Sequence, residues 1–209
     1  MSGREGSAAR RLFLLGVGLA LLAGVAVVAY AWLDTSVAVP GSPALPAWIT
    51  GGGQTARQAY DVAGEAAAAW QGDARLAAVS GQRVSLGERQ GEETQWSLLF
   101  YSPSTQRLAI IAVENGAARV MRESLSPYRM VTFAVEDWRV DSDEAQGVWW
   151  QRGGNSMVAQ RPDIDLLMQL RISGERGEHP VWTVTGVVAG TDSAFSVLID
   201  AVDGSVIES

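Results

Sequence analysis

The chain has 209 residues, of which 47% are hydrophobic, and a formal net charge of −7. It contains no cysteine, which excludes disulfides, thiolate nucleophiles, thiolate metal ligands and a lipid-bearing cysteine. All 16 basic residues are arginine, so mechanisms that use a lysine Schiff base or a lysine general base are excluded as well.

The charge is distributed unevenly along the chain. Residues 1–33 hold three arginines and one glutamate, so the total of −7 leaves a net charge of −9 for residues 34–209. An acidic surface repels nucleic acid and offers no basic patch from which counterions could be released. The sequence therefore predicts no nucleic-acid partner.

Residues 12–33 contain no charged side chain, and a helix of 22 residues rises about 33 Å at roughly 1.5 Å per residue. This length spans a bilayer. Arginines precede the segment and Asp34 follows it, which predicts a cytoplasmic tail at residues 1–11 and an extracytoplasmic C-terminal part. A signal peptide cleaved after Ala31 is the alternative, but its apolar core would exceed the usual length of about 7 to 15 residues.

Gly16, Ala20 and Gly24 recur at a spacing of four residues within the predicted membrane helix. Such a stripe of small residues allows close packing against another membrane helix. The alternative is that the stripe reflects only the general abundance of small residues in such helices. Residues 34–54, with three prolines followed by Gly51, Gly52 and Gly53, are predicted to form an extended stalk.

The first folded unit is predicted at residues 55–125. Thr55 and Gln58 have the spacing of a capping box, and apolar residues then repeat every three or four positions, which predicts a helix over residues 55–72. Asn115-Gly116 between two apolar runs predicts a hairpin. Strands are expected at residues 75–80, 95–101, 107–113 and 118–124.

A second unit, at residues 126–209, repeats the order of helix and antiparallel strands. Asp141 and Glu144 have the spacing of a capping box, and the helix that they open is expected to stop at Gly153-Gly154. Strands are expected at residues 164–172, 181–189, 194–200 and 206–207. The predicted fold class is α+β: an N-terminal transmembrane helix followed by two units, each a helix on an antiparallel sheet. Trp70 aligned with Trp149 or Trp150, and Trp96 aligned with Trp182, suggest an internal period of about 80 residues.

Three segments of the second unit carry a resemblance to a known family. They are residues 138–145 at the start of the helix, residues 182–184 in a strand, and residues 197–207, which include Asp200-Ala201 and Asp203-Gly204. With these segments, residues 138–209 resemble the PepSY domain family, and residues 55–125 resemble it more weakly. The resemblance implies a helix packed on an antiparallel sheet, and binding or inhibition of a peptidase or regulation at the cell envelope. It implies no catalytic residues.

Candidate metal ligands have simpler structural explanations. His179 is the only histidine, so with no cysteine the usual zinc sites are excluded, and a loop residue is favoured. Asp141, Asp143 and Glu144 could supply oxygen ligands to calcium, but the spacing after them does not fit a calcium-binding loop. Capping of a helix N-terminus is the favoured interpretation of these acids. No metal and no cofactor is predicted.

The sequence supports catalytic roles even less than metal binding. Asp163 and Asp165 lie two residues apart on one side of an extended segment, like the paired carboxylates of a glycosidase, but a solvated strand edge is favoured. No nucleophile elbow of the Gly-x-Ser-x-Gly type occurs, and His179 lacks an orienting partner. The sequence therefore favours a protein that is not an enzyme.

Recognition of a partner is the remaining class of function. Trp149 and Trp150 are adjacent on a predicted helix, where consecutive side chains point about 100° apart, so one ring is expected inside and the other partly exposed. The exposed ring would anchor a polypeptide partner, or would instead cover the gap between the two units. An open sheet edge at residues 206–207 or in the first unit could also accept an extended peptide.

The leading hypothesis is a single-pass, membrane-anchored, extracytoplasmic PepSY-like module that binds a polypeptide and regulates or inhibits a peptidase. The second hypothesis is a structural or accessory subunit of a larger membrane complex, in which the stripe of Gly16, Ala20 and Gly24 matters more than the outer part.

Overall fold

A seven-stranded antiparallel sheet carries helices on one of its faces. The computed structural model describes residues 53–83, 95–161, 164–173, 179–188 and 190–207, all within the compact unit Gly41–Ser209. The α+β class predicted for the folded part is confirmed. None of the helices in these ranges has both the length and the hydrophobicity of a membrane span. The predicted membrane helix, its stripe of Gly16, Ala20 and Gly24, and the stalk up to Gly52 lie outside the described residues.

The first half of the described chain contains one helix and four strands. They are α1 (Ala56–Trp70), β1 (Arg75–Arg83), β2 (Gln95–Ser102), β3 (Arg107–Glu114) and β4 (Ala117–Leu125). A 3₁₀ turn at Val135–Asp137 leads to the second half. That half contains α2 (Ser142–Trp149), a π-helical segment (Trp150–Gly154), α3 (Asn155–Gln160), β5 (Ile164–Ile172), β6 (Pro180–Val188) and β7 (Ala194–Asp200).

The strands of both predicted units belong to one sheet with the order β4-β3-β2-β1-β5-β6-β7. At its centre β1 pairs with β5, from Ala78 opposite Arg171 to Arg83 opposite Leu166. Outward from this pair, each half places its strands in chain order, so the topology has an approximate two-fold relationship. The two predicted units, residues 55–125 and 126–209, therefore contribute their strands to one continuous sheet.

Local signals in the sequence predicted the element starts and turns well. Both capping boxes are present, Thr55 with Gln58 and Asp141 with Glu144. The Asn115-Gly116 turn has φ angles of 52° and 72°, which two-residue hairpin turns of type I′ require. The bounds of β5 and β7 are those predicted, whereas residues 206–207 contribute only an isolated bridge from Val206 to Ile199.

The predicted end of the second helix at Gly153-Gly154 needs a correction. Gly153 leaves the helical conformation with φ 139°, but helical backbone resumes at Asn155 and continues to Gln160. Glycine is needed at both positions because aromatic rings lie close to the backbone there. A Cβ on Gly154 would overlap the ring of Trp149, and one on Gly153 would lie 3.2 Å from Phe195. They fit the chain around these two aromatic rings.

Each half contains an equivalent tryptophan hydrogen bond, and the residues of the two bonds are 86 positions apart in the chain. The indole Nε1 of Trp96 donates to the carbonyl oxygen of Gln54 at 2.8 Å, and that of Trp182 donates to the carbonyl oxygen of Val140 at 2.8 Å. In each half the acceptor immediately precedes the residue that caps the helix. The predicted equivalence of Trp96 and Trp182 thus has a structural counterpart, with a period of 86 residues, whereas the same offset from Trp70 falls on residue 156.

Candidate functional site

The tryptophan pair predicted to contact a partner lies in the core. Trp149 is fully buried, and Trp150 is 8% exposed. The indole of Trp149 donates a hydrogen bond to the carbonyl oxygen of Phe195 at 3.0 Å, and its ring occupies the space that a side chain at Gly186 would need. These contacts hold the second helix against β6 and β7. Neither ring therefore offers the exposed surface on which the binding hypothesis for this pair depends.

The acids at the start of α2 serve the helix termini. Asp141 Oδ1 accepts hydrogen bonds from the backbone N–H groups of Ser142 at 2.6 Å and Arg57 at 3.1 Å. The Oγ of Ser142 accepts from the N–H of Ala56 at 3.0 Å. The predicted capping role is confirmed and extended, because these side chains cap α1 as well as α2. In the part of the chain that the structure describes, no cluster of three or more acidic or histidine side chains could hold a metal ion.

An aromatic cluster lies beneath this junction. The rings of Trp138 and Trp182 make an edge contact at 5.9 Å between centroids, and both indoles donate to the carbonyl oxygen of Val140 at 2.8 Å. The guanidinium carbon of Arg57 lies 4.4 Å from the centre of the Trp138 ring. Tyr60 packs against the same ring, and burial raises the pKa of its hydroxyl. The cluster joins the two halves through Trp138, Trp182 and Tyr60.

Of the three remaining predicted candidates, the structure describes Asp165 and His179. Asp165 lies on β5 opposite Val187, and Asp163 lies outside the described residues. His179 is exposed and directly precedes β6. Hydrogen bonds from Ser205 hold the pKa of Asp203 below its ordinary value, with a smaller contribution from His179.

A polar cluster connects the α1–β1 loop to the β2–β3 turn, and the sequence does not predict it. The hydroxyl of Ser102, which is fully buried, donates to Asp73 Oδ1 at 2.6 Å, and the N–H of Ser104 donates to Asp73 Oδ2 at 2.8 Å. Thr105 Oγ1 donates to the Ser102 hydroxyl at 2.9 Å. The hydrogen bonds from Ser102 and Ser104 lower the pKa of Asp73. The only signal in the sequence was the short turn of small polar residues, which does not reveal a partner 29 residues earlier.

The most exposed apolar side chains gather along β4 and the segment that follows it. β4 is the first strand of the sheet order, so one of its sides has no neighbouring strand among the described residues. Eight of its nine residues are exposed. The large apolar side chains exposed on β4 and just beyond it are Val120, Met121, Leu125, Tyr128 and Val131, with exposed fractions from 36% to 79%.

The opposite end of the sheet is partly covered. Beside β7, the N–H of Asp200 donates to the carbonyl oxygen of Ser205, and the N–H of Ile207 donates to that of Leu198, both at 2.8 Å. The predicted strand at residues 206–207 therefore covers part of this edge. Of the two edges considered from the sequence, the one in the first half is the longer and more open.

Comparison with known proteins leaves the function open. No protein-family model matches the chain, and no curated protein matches it. It is similar to the crystal structure of a putative lipoprotein from Clostridium difficile 630, with a TM-score of 0.49 and 9% sequence identity over 77% of this chain and 95% of that chain. At these values the likeness assigns no function.

Proposed function

We propose that this protein is a single-pass, membrane-anchored, extracytoplasmic module of the PepSY type that recognises a polypeptide partner through the open edge of its sheet. The uncharged segment at residues 12–33 supplies the anchor, and residues 34–54 supply the stalk. The partner class that the PepSY resemblance implies is a peptidase, which the bound module would regulate or inhibit.

The observation that carries this proposal is the surface formed by β4 and residues 126–131, here called the β4 surface. Unpaired N–H and C=O groups along a strand edge are a template for an added strand. Leu125 is 72% exposed and Tyr128 is 79% exposed. Tyrosine is enriched among the residues that supply most of the binding energy at protein interfaces, and Leu125 adds apolar area for a partner to cover.

The second candidate is a structural or accessory subunit of a larger membrane complex. The specific feature in its favour is the four-residue spacing of Gly16, Ala20 and Gly24. In that case the membrane segment makes the main contact and the β4 surface contributes little.

Two variants of the full-length chain separate the candidates. One variant carries Leu125→Glu and Tyr128→Glu, and the other replaces Gly16, Ala20 and Gly24 by leucine. Each is used for affinity capture from solubilised host membranes, with bound proteins identified by mass spectrometry. Leu167→Glu on β5 is the matched control, because Leu167 is also exposed but lies away from the β4 edge.

If the protein is a binding module, the variant changed at Leu125 and Tyr128 should lose a partner. The variant with leucine at positions 16, 20 and 24 and the Leu167→Glu control should both retain that partner. The opposite pattern, with partners lost only from the leucine variant, supports the membrane subunit. A peptidase among the proteins lost from the first variant, together with inhibition of its activity by the purified chain, supports the regulatory role.

A further inference from the structure

The charge of the β4 edge differs in sign from that of the chain. Residues 117–131 contain three arginines and one glutamate, whereas residues 34–209 have a net charge of −9. The one glutamate, Glu123, forms an ion pair with Arg107 at 3.1 Å. In the described ranges, Arg119 and Arg122 form no ion pair. Two guanidinium groups are therefore available at an edge where the backbone can also pair.

The register places these two arginines on one face. Arg119 pairs with Ala112 and Arg122 pairs with Ile110, whereas Val120 between them pairs with the buried Ile111. Side chains alternate along a strand, and the irregularity between Val120 and Arg122 adds one residue. Arg119 and Arg122 consequently share the face that points away from the helices, next to Ile110, which is 36% exposed.

We propose that the β4 edge binds an extended, acidic segment of a partner polypeptide as an additional strand, with Arg119 and Arg122 contacting its carboxylates. This inference rests on the proposed function and specifies the chemistry of the partner. A strand added beside β4 would place every second side chain on the arginine face, so acidic residues two positions apart in the partner fit this face best.

Charge complementarity argues against a second copy of this chain as the occupant. Pairing β4 with β4 of a copy would bring two arginine-bearing edges together, and like charges on paired strands are destabilising. An acidic segment neutralises the same edge. The arginines thus discourage self-association and favour the acidic partner, because specificity is a difference between the two affinities.

The test uses the full-length chain in a neutral detergent and a fluorescent peptide of about eight residues, an ordinary strand length, that alternates glutamate with valine. One comparison peptide has lysine in place of glutamate. Another has N-methyl groups on alternate backbone nitrogens, which prevents strand pairing. Binding is measured by fluorescence anisotropy, and the site is located by hydrogen–deuterium exchange of the β4 amides.

We expect the acidic peptide to bind at least about tenfold more tightly than either comparison peptide and to protect β4 from exchange. The double variant Arg119→Glu and Arg122→Glu should weaken its binding about tenfold or more and improve binding of the lysine peptide. The control is Arg171→Glu, since Arg171 is exposed on β5 away from this edge. That control should leave the affinity within about twofold.

Equal binding of the acidic and N-methylated peptides would overturn strand addition, and equal losses from the double variant and the Arg171 control would overturn the role of the two arginines. In a separate experiment, vesicles containing phosphatidylglycerol replace the peptide, and exchange of the β4 amides is measured again. If they protect β4 and the acidic peptide does not, the edge binds lipid headgroups and the inference fails. If no peptide binds but partner capture still depends on Leu125 and Tyr128, the proposed function stands and this inference alone is wrong.

Discussion

The carboxylate of Asp141 accepts a hydrogen bond from the backbone N–H of Arg57 at 3.1 Å, although the two residues are 84 positions apart. The same oxygen caps the helix that Asp141 precedes. One side chain thus satisfies free N–H groups at the start of both main helices, where the first four N–H groups have no partner within the helix. The two halves are joined through their helix termini as well as through the β1–β5 pair.

Replacing Asp141 with alanine should lower the free energy of unfolding by about 1–3 kcal/mol, because two capping interactions are lost together. Urea unfolding followed by tryptophan fluorescence measures this change. The control is Asp143→Ala in the first turn of α2, where only the favourable interaction with the helix dipole is lost, about 0.3–1 kcal/mol. Equal effects of the two substitutions would contradict the double-capping role.

Two glycine-to-alanine substitutions should change stability in opposite directions. Gly154→Ala should destabilise by about 1–3 kcal/mol, because the new Cβ meets the Trp149 ring. Gly64→Ala should stabilise by about 0.5–1 kcal/mol, because the position lies inside α1 and the new Cβ has ordinary contacts at 3.7 Å. Thermal unfolding of both variants checks this, and a stabilising Gly154→Ala would show that the ring can move aside.

Gln146→Met should leave the free energy of unfolding unchanged or raise it. Gln146 is 5% exposed, and its Oε1 has no hydrogen-bond partner among the described residues, while its amide nitrogen contacts only the sulfur of Met168 at 3.1 Å. An unpaired buried acceptor costs about 1–3 kcal/mol, which methionine removes at similar volume. Thr185→Val is the control, since its hydroxyl lies 2.8 Å from Ser196 Oγ. That control should lose about 1 kcal/mol in the same urea experiment.

The Asp73 cluster should make stability depend on pH at the acidic end. Hydrogen bonds from Ser102, and then from Ser104, lower the pKa of Asp73 from its ordinary value of 3.8. A lowered pKa in the folded state stabilises the protein above the ordinary value, and this stabilisation is lost as the pH falls through the folded-state pKa. The stability difference between wild type and Asp73→Asn should therefore be largest above pH 3.8 and shrink below it.

The pKa of Asp73 can also be followed directly through the chemical shift of its carboxyl carbon. Ser102→Ala should raise the titration midpoint, because it removes the largest stabilising hydrogen bond. Ser104→Ala should raise it less, because the backbone N–H of residue 104 still donates to the carboxylate. A midpoint that neither substitution moves would show that the cluster does not control this carboxyl group.

Much of the local structure could be predicted from the sequence because it depends on interactions between near neighbours. The caps at Thr55 and Asp141 involve residues three positions apart, and the Asn115-Gly116 turn needs only the backbone freedom of those two residues. The bounds of β5 and β7 follow from hydrophobic patterning within each strand. The pattern predicts Trp149 and Trp150 on a helix, which the structure confirms, but helical positions do not reveal what covers each ring.

Short-range patterns in the sequence specify the capped helix starts, the Asn115-Gly116 turn and the bounds of β5 and β7, because each of these depends on a few consecutive residues. The fold adds what these patterns do not contain: β1 pairs with β5, Trp149 and Trp150 are both buried, and Asp141 caps two helices. These contacts join residues that are far apart along the chain. Such pairings form only when their contacts together offset the entropy of closing long loops, and that balance involves the whole sheet and its core.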